Sequence, residues 1–192
     1  MNAFLKKFSR IIDKSSDRLL VERAKLGDKQ AFARLYEKYL DAIYRYIYFK
    51  VGQDQMEAED QTQKVFMKSW EKLATFDSRG GTFQAWIYRI AHNLVVDFYR
   101  SQKNTINSVE LELIPDEKNL EAEVLNRFEV DAVKQALIHL SADQREVISL
   151  KYIEDLTNKE ICQIMHKKPD AVRALQSRAV RQLQKIVKLK NI

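Results

Sequence analysis

The chain has 192 residues, a hydrophobic fraction of 45% and a formal net charge of +6, so it can form one or two domains with hydrophobic cores and suits a polyanionic partner. Its single cysteine, Cys162, excludes an intramolecular disulfide framework and fits a reducing compartment. No apolar run reaches the roughly 20 residues of a membrane-spanning helix. Four glycines and two prolines leave few turns, and helix-period stretches dominate, so we expect an all-α protein. The lone cysteine and the lack of a membrane span make the cytoplasm the expected location.

Residues 1–15 form an N-terminal extension with a short amphipathic pattern. Its apolar side chains are interleaved with Lys6, Lys7 and Arg10, so the segment could contact a membrane surface or a partner. Because it is short, we favour a terminal helix that packs on its own domain.

Residues 16–103 have the apolar periodicity of a helical domain. A short helix from Ser16 is predicted to end at Gly27, and Asp28 is placed to cap the next one. That helix carries an aromatic stripe between Phe32 and Ile47, which at helical spacing indicates core rather than a cofactor site.

The following helix, MEAEDQTQKVFMKSWEKLATF, comes after a break at Gly52 and Asp54. Its inward positions are predicted to be Ala58, Thr62, Val65, Phe66, Ser69, Trp70 and Leu73. Its outer edge is acidic and carries Glu57, Glu59, Asp60 and Gln63. An edge of this kind is usually only solvated, so the pattern alone assigns it no function.

Asp77 to Thr82 form a loop whose paired glycines, Gly80 and Gly81, permit unusual backbone angles. Thr82 can cap the helix FQAWIYRIAHNLVVDFYRSQ. One stripe of this helix interleaves aromatic, cationic and polar side chains: Trp86, Arg89, Asn93, Asp97 and Arg100. The stripe suits stacking on unpaired bases and contact with phosphates. A half-buried tryptophan with a solvated rim has the same spacing, and spacing alone slightly favours this second interpretation.

Residues 104–127 are predicted to be an acidic, flexible linker between two helical domains. The stretch from Ser101 to Asp131 holds eight acidic residues against three basic ones and few aromatic residues, a composition typical of flexible segments.

The second domain, residues 128–192, is predicted to be a four-helix unit. Its first helix carries Val130, Val133, Leu137 and Leu140. A capping box of Ser141 and Gln144 opens the helix that carries Val147, Ile148 and Leu150.

The last two helices have the helix-turn-helix pattern. Thr157 and Glu160 form a capping box for the first, and Pro169 can open the second, because a first-turn residue has no amide bond to lose. The turn between them holds His166, where glycine is common. From Lys167 to Ile192 there are eight lysines or arginines against one aspartate, so the second helix can lie in a DNA major groove. A helical hairpin with a solvated basic face is the alternative, and the spacing alone does not decide between them.

The chain shows no convincing catalytic constellation. Its three histidines and Cys162 stand in no metal-ligand or nucleophile spacing, and no glycine-rich phosphate loop is present. We therefore expect neither enzymatic activity nor a cofactor, a metal or a small-molecule substrate.

Two stretches read together resemble the bacterial sigma factors of the extracytoplasmic-function (ECF) type. AEDQTQKVFMKSW followed by FQAWIYRIAHNLVVDFYR, then the acidic linker, then LSADQREVISLKYIEDLTNKEICQIM is similar to the family's second and fourth regions, in the family's order, from about Gln30 to Leu183. The resemblance implies a sigma factor that binds core RNA polymerase, directs it to −10 and −35 promoter elements and promotes duplex opening. The chain ends at Ile192, so we expect no added C-terminal regulatory domain.

The resemblance also implies roles for individual residues. Docking on the polymerase β′ clamp helices falls to Glu59, Asp60 and Gln63, with Phe66 in the core. Reading the unwound −10 strand falls to Arg79, Gly80, Gly81, Trp86, Arg89, Asn93 and Arg100. Binding in the −35 major groove falls to Lys168, Arg173, Ser177, Arg178 and Arg181.

The implied partners are core RNA polymerase, through its β′ clamp helices and β flap, promoter DNA and an anti-sigma factor. The linker would thread toward the polymerase active-site cleft and RNA exit path. The sequence departs from the family pattern at Gln61, where an aliphatic residue is common, at Lys64, where glutamate is common, and at Leu175-Gln176, where Arg-Leu is common. The turn MHKKPDAV also differs from the common LGxSxGTV form.

A conventional helix-turn-helix regulator, with a ligand-sensing or dimerising first domain, is the alternative function. It would bind duplex operator DNA tightly without polymerase, usually as a dimer. The aromatic and basic stripe around Trp86 favours the sigma interpretation, because a sensor domain has no need to stack unpaired bases.

Overall fold

The computed structural model describes residues 16–105 and 139–190, and within these two ranges the regular structure is entirely helical, which confirms the all-α prediction. The chain divides into two compact units, residues 1–116 and 117–192, with the division inside the segment predicted as linker. The predicted N-terminal helix, most of the linker and most of the helix expected to begin near Phe128 lie outside the described residues. None of the described helices is long and apolar enough to cross a bilayer.

The first unit packs four described helices. They are α1 (residues 16–25), α2 (Lys29–Tyr48), α3 (Gln55–Lys72) and α4 (Phe83–Thr105), with a 3₁₀ turn at Leu73–Thr75. α3 packs against both α2 and α4. The core is made of fully buried apolar side chains, among them Val21, Leu35, Ile43, Ile47, Val65, Ile87 and Tyr88.

Local caps begin these helices where the sequence predicts. The Asp28 carboxylate accepts hydrogen bonds from the Gln30 and Ala31 amides at 3.0 and 3.1 Å, and Gly27 before it has a φ of 92°. The amide of Ala31, followed by the Arg23 guanidinium, holds the pKa of Asp28 below its usual value. These contacts leave α1 and α2 joined by a short, defined turn.

The predicted burial of α3 is correct at most positions and wrong at Trp70. Phe66 is buried, with its ring centroid 4.6 Å from that of Tyr36. Trp70 is 41% exposed because it lies at the margin of the buried stripe, where its ring makes an edge contact with Phe32 at a centroid distance of 4.8 Å. Gln61 is buried instead, at 4% exposure, and donates to the Glu57 carboxylate at 2.8 Å.

The second unit contains three described helices, α5 (Ala142–Ile148), α6 (Asn158–Met165) and α7 (Pro169–Lys190), with a π-helical turn at Ser149–Ile153. The capping box predicted at Ser141 and Gln144 is present, with hydrogen bonds of 2.8 and 3.3 Å. The buried core includes Leu140, Val147, Leu150, Leu156, Ile161, Ile164, Val172 and Ala179. This core holds α6 and α7 together as a pair.

Candidate nucleic-acid interfaces

α6 and α7 form the predicted helix-turn-helix. The Thr157 amide donates to the Glu160 carboxylate at 2.8 Å, and the Glu160 amide donates to the Thr157 hydroxyl at 3.3 Å. α6 ends at His166, which adopts the left-handed conformation (φ 52°, ψ 38°) and donates its amide to the Cys162 carbonyl. His166 therefore makes the turn for which glycine is usually chosen, and Pro169 opens α7 as predicted.

Side-chain contacts join α7, and the turn before it, to the rest of the unit. The Asn158 and Gln176 amides exchange hydrogen bonds at 3.3 and 3.1 Å, which ties the start of α6 to the middle of α7. The Lys167 ammonium lies 2.9 Å from the Asp143 carboxylate and ties the turn to α5. Sequence reasoning missed both contacts, although the unusual Gln176 was a signal.

The outer face of α7 carries the residues predicted to read the −35 element. Arg173, Ser177 and Arg181 are exposed at intervals of four residues, whereas Val172 and Ala179 on the other side are fully buried. The Arg173 guanidinium pairs with the Asp170 carboxylate at 2.5 Å, and Arg181 donates to the Ser177 hydroxyl at 2.7 Å. The two remaining candidates are also exposed: Lys168 and Arg178.

In the first unit, an aromatic cluster joins the glycine loop to α4. The Trp86 ring is half-buried, with its centroid 5.2 Å from Phe76 and 5.6 Å from Phe83. Both phenylalanines are buried. Trp86 therefore packs on its own domain and is partly exposed to solvent, as the half-buried interpretation of its spacing predicts. The exposed part of the ring is still accessible to an unpaired base.

The loop itself is organised by Asp77. Its carboxylate accepts from the Arg79 amide at 2.9 Å and from Arg79 Nε at 3.1 Å, and its carbonyl accepts from the Gly80 amide at 3.0 Å. The hydrogen bond from the Arg79 side chain is the largest of the effects that lower the pKa of Asp77. Gly80 and Gly81 do not use left-handed backbone angles, since the glycines of positive φ in the described part of the chain are Gly27 and Gly52.

α4 presents the rest of the predicted −10 surface along one exposed face. Arg89, Asn93 and Arg100 are exposed, and the Arg100 guanidinium lies 3.7 Å from the Asp97 carboxylate. Thr82 caps this helix through its hydroxyl, which accepts from the Ala85 amide at 3.2 Å.

The acidic edge of α3 lies in the solvent. Glu59, Asp60 and Gln63 are exposed, and Gln55 donates to the Glu59 carboxylate at 3.1 Å. The Asp60 carboxylate is paired with the Lys64 ammonium one turn away. Among the residues that the structure describes, no group of three or more histidine, cysteine, aspartate or glutamate side chains could hold a metal ion.

A helical domain with an aromatic and basic face, together with a helix-turn-helix unit whose second helix is basic, defines a DNA-binding transcription protein. Two family models match the chain, Sigma-70 region 2 over residues 35–105 and Sigma-70, region 4 over residues 131–183. The ECF RNA polymerase sigma factor SigW of Bacillus subtilis is 30% identical over 157 residues, covering 76% of this chain and 83% of SigW. The chain belongs to the ECF family of RNA polymerase sigma factors. It acts in transcription initiation, through promoter recognition with RNA polymerase.

Two further similarities extend over most of the chain. The ECF RNA polymerase sigma factor BldN of Streptomyces coelicolor is 36% identical over 171 residues, which cover 88% of this chain; the chain spans 64% of the length of BldN. The solved structure of CnrH in complex with the cytosolic domain of CnrY has a TM-score of 0.66 and 25% identity, and covers 91% of this chain and 98% of that one.

Proposed function

We propose that this sigma factor uses three separate faces: α3 to dock on core RNA polymerase, the Asp77–Thr82 loop with α4 to capture the unwound −10 strand, and α7 to read the −35 duplex. The observation that carries the proposal is the exposed stripe on α7, which belongs to a helix-turn-helix with a capping box at the start of α6, a left-handed turn at His166 and a hydrogen bond between Asn158 and Gln176. It offers arginines at regular spacing to a DNA groove.

The −10 face combines a stacking platform with cations. Trp86 offers the free side of its ring, and Arg79, Arg89 and Arg100 can reach phosphates, while the Asn93 amide can pair with a base edge. Capture of an extruded base on such a face offsets the few kcal/mol that unstacking costs, so strand opening and recognition occur together. Gly80 and Gly81 leave the loop backbone open to close approach.

The α3 face is suited to a basic partner surface. Glu59 and Asp60 offer carboxylates, and Gln63 offers an amide, all without disturbing the buried Phe66 beneath them. We assign this face to the β′ clamp helices, and the second unit to the β flap. The protein would work in the cytoplasm with the polymerase and have no catalysis of its own.

We also propose that an anti-sigma protein holds the chain inactive by covering these same faces. The support is the solved complex of CnrH with the cytosolic domain of CnrY, in which a similar sigma chain is bound by another protein. Such a partner would need acidic groups for the α4 and α7 stripes.

The test is co-migration of the purified full chain with bacterial core RNA polymerase on gel filtration. We expect a stoichiometric complex, and we expect Asp60→Arg to weaken it at least tenfold, because a cation would replace the carboxylate at the docking face. Asp41→Arg, the same charge change at an exposed position on α2, is the matched control and should leave binding intact.

Absence of a wild-type complex would refute the docking proposal. Equal losses with Asp60→Arg and Asp41→Arg would show that binding depends on the overall charge of the domain and not on the α3 face.

A further inference from the structure

The side chain of Lys25 links the last turn of α1 to the base of the glycine loop. Its ammonium group donates to the Phe76 carbonyl at 2.6 Å and lies 5.6 Å from the centroid of the Phe76 ring. The side chain is 21% exposed, and Glu22 approaches the ammonium group at 3.5 Å. A charge-assisted hydrogen bond and a cation–π contact therefore act on the same residue.

Phe76 contacts Trp86 of α4 and directly precedes the loop that carries Arg79, so it connects the two parts of the −10 face. Its ring is buried and packs against Trp86 at 5.2 Å and Phe83 at 6.0 Å. Its backbone leads directly into Asp77, which closes the turn that carries Arg79. A displacement of Phe76 would move Trp86 and Arg79 together.

α1 is held in place by contacts that do not involve Lys25. The buried Asp17 carboxylate accepts from the Lys38 ammonium at 2.7 Å and from the Tyr39 hydroxyl at 2.5 Å, Arg23 pairs with Asp28 at 2.6 Å, and Val21 is fully buried. Loss of the Lys25 ammonium group would therefore leave α1 docked and release only the loop.

We infer that Lys25 is a positioning residue for single-strand capture: it holds Phe76, and through Phe76 it sets the loop and Trp86 for the −10 strand. The inference rests on the proposed function of that face. Without the ammonium group, the part-buried Phe76 carbonyl loses its charged donor, so the loop base can shift without any change in the polymerase face on α3.

The test compares Lys25→Met, Lys25→Arg and Glu22→Gln in holoenzyme assembled with core RNA polymerase. Methionine keeps an apolar stem and removes the charge, arginine restores a donor, and Glu22→Gln removes only the neighbouring carboxylate. The probe is fork-junction DNA that carries the −10 region of a promoter transcribed by the wild-type holoenzyme in a run-off assay. Acrylamide quenching of Trp86 fluorescence is measured separately on the free full chain, where a Trp70→Phe background leaves Trp86 as the single tryptophan.

We expect Lys25→Met to weaken fork-junction binding about tenfold, equivalent to ~1.4 kcal/mol, to increase quenching of Trp86, and to leave the affinity for core polymerase within about twofold. Lys25→Arg should recover most of the loss, and Glu22→Gln should behave as wild type. Fork binding unchanged in Lys25→Met would overturn the inference, and so would equal losses of fork and polymerase binding with no rescue by arginine.

Two further variants separate this inference from the proposed function on which it rests. If Trp86→Ala and Arg79→Ala weaken fork binding and Lys25→Met does not, the inference about Lys25 is wrong and the −10 face stands. If none of the three weakens it, the −10 face itself is wrong.

Discussion

Lys64 lies one helical turn beyond Asp60 on α3, and its ammonium group pairs with the Asp60 carboxylate. Both side chains are about half exposed, so the pair is worth only about 0.3–0.5 kcal/mol. The pair nevertheless occupies a carboxylate that we assign to polymerase docking. In the proposed docking, Lys64 would compete with a cation of the partner for the Asp60 carboxylate.

Lys64→Ala should therefore tighten binding to core RNA polymerase by about twofold, the equivalent of one surface ion pair, and Lys64→Glu should tighten it further. Fluorescence anisotropy of the labelled chain, titrated with core polymerase, measures the change. Arg34→Ala, which removes an exposed positive charge from α2, controls for net charge. Weaker binding by Lys64→Ala would instead make Lys64 a contact of its own.

At the scale of the element, the helix starts could be predicted from the sequence because a cap involves neighbours in the chain. Asp28, Ser141 and Thr157 each satisfy amides within three residues of themselves. Contacts across the fold carry no such local signature: Lys25 meets Phe76 across 51 positions. Thus the helices and the faces they present could be predicted, and the contacts that hold those faces in position could not.

The sequence pattern also could not predict which residues are buried at the margins of a helix. The stripe of α3 predicts Trp70 inward, but neighbouring elements decide whether a marginal position is covered, and Trp70 is left 41% exposed while Gln61 is buried. The roles of the polymerase and DNA residues stay predictions, because they depend on surfaces of partners rather than on this fold.

The hydrogen-bonded pair of Asn158 and Gln176, one of the contacts that join the helices of the second unit, offers a test at this scale. Asn158→Ala and Gln176→Ala should each destabilise the chain by about 0.5–1.5 kcal/mol, because each leaves a part-buried amide without its partner. The double variant should cost less than the sum of the two single variants, since both remove the same contact. Urea unfolding measures these changes, and strictly additive losses would show that the two amides act independently.

At the scale of the whole molecule, the two faces that we propose for DNA belong to separate units of one chain. Linked sites gain affinity only when both engage at once, and the gain depends on the spacing between them. A polymerase that holds the two units apart would supply that spacing. The stripe from Arg173 to Arg181 is a small surface for duplex binding by itself. Under this proposal it would select a promoter together with the −10 face, because both would bind at once.

Substitutions in the two faces should therefore impair different steps of initiation. Arg173→Ala should cost roughly 1–3 kcal/mol of holoenzyme binding at the matched −35 sequence if the guanidinium reads a base, and the loss should appear before the strands open.

Trp86→Ala should leave polymerase and −35 binding intact and reduce opening, which permanganate reactivity of unpaired thymines reports. Equal losses on all −35 sequences would make Arg173 a phosphate contact, and unchanged opening would confine Trp86 to packing against Phe76 and Phe83. Because the two faces belong to different units, the double variant should show both defects without either masking the other.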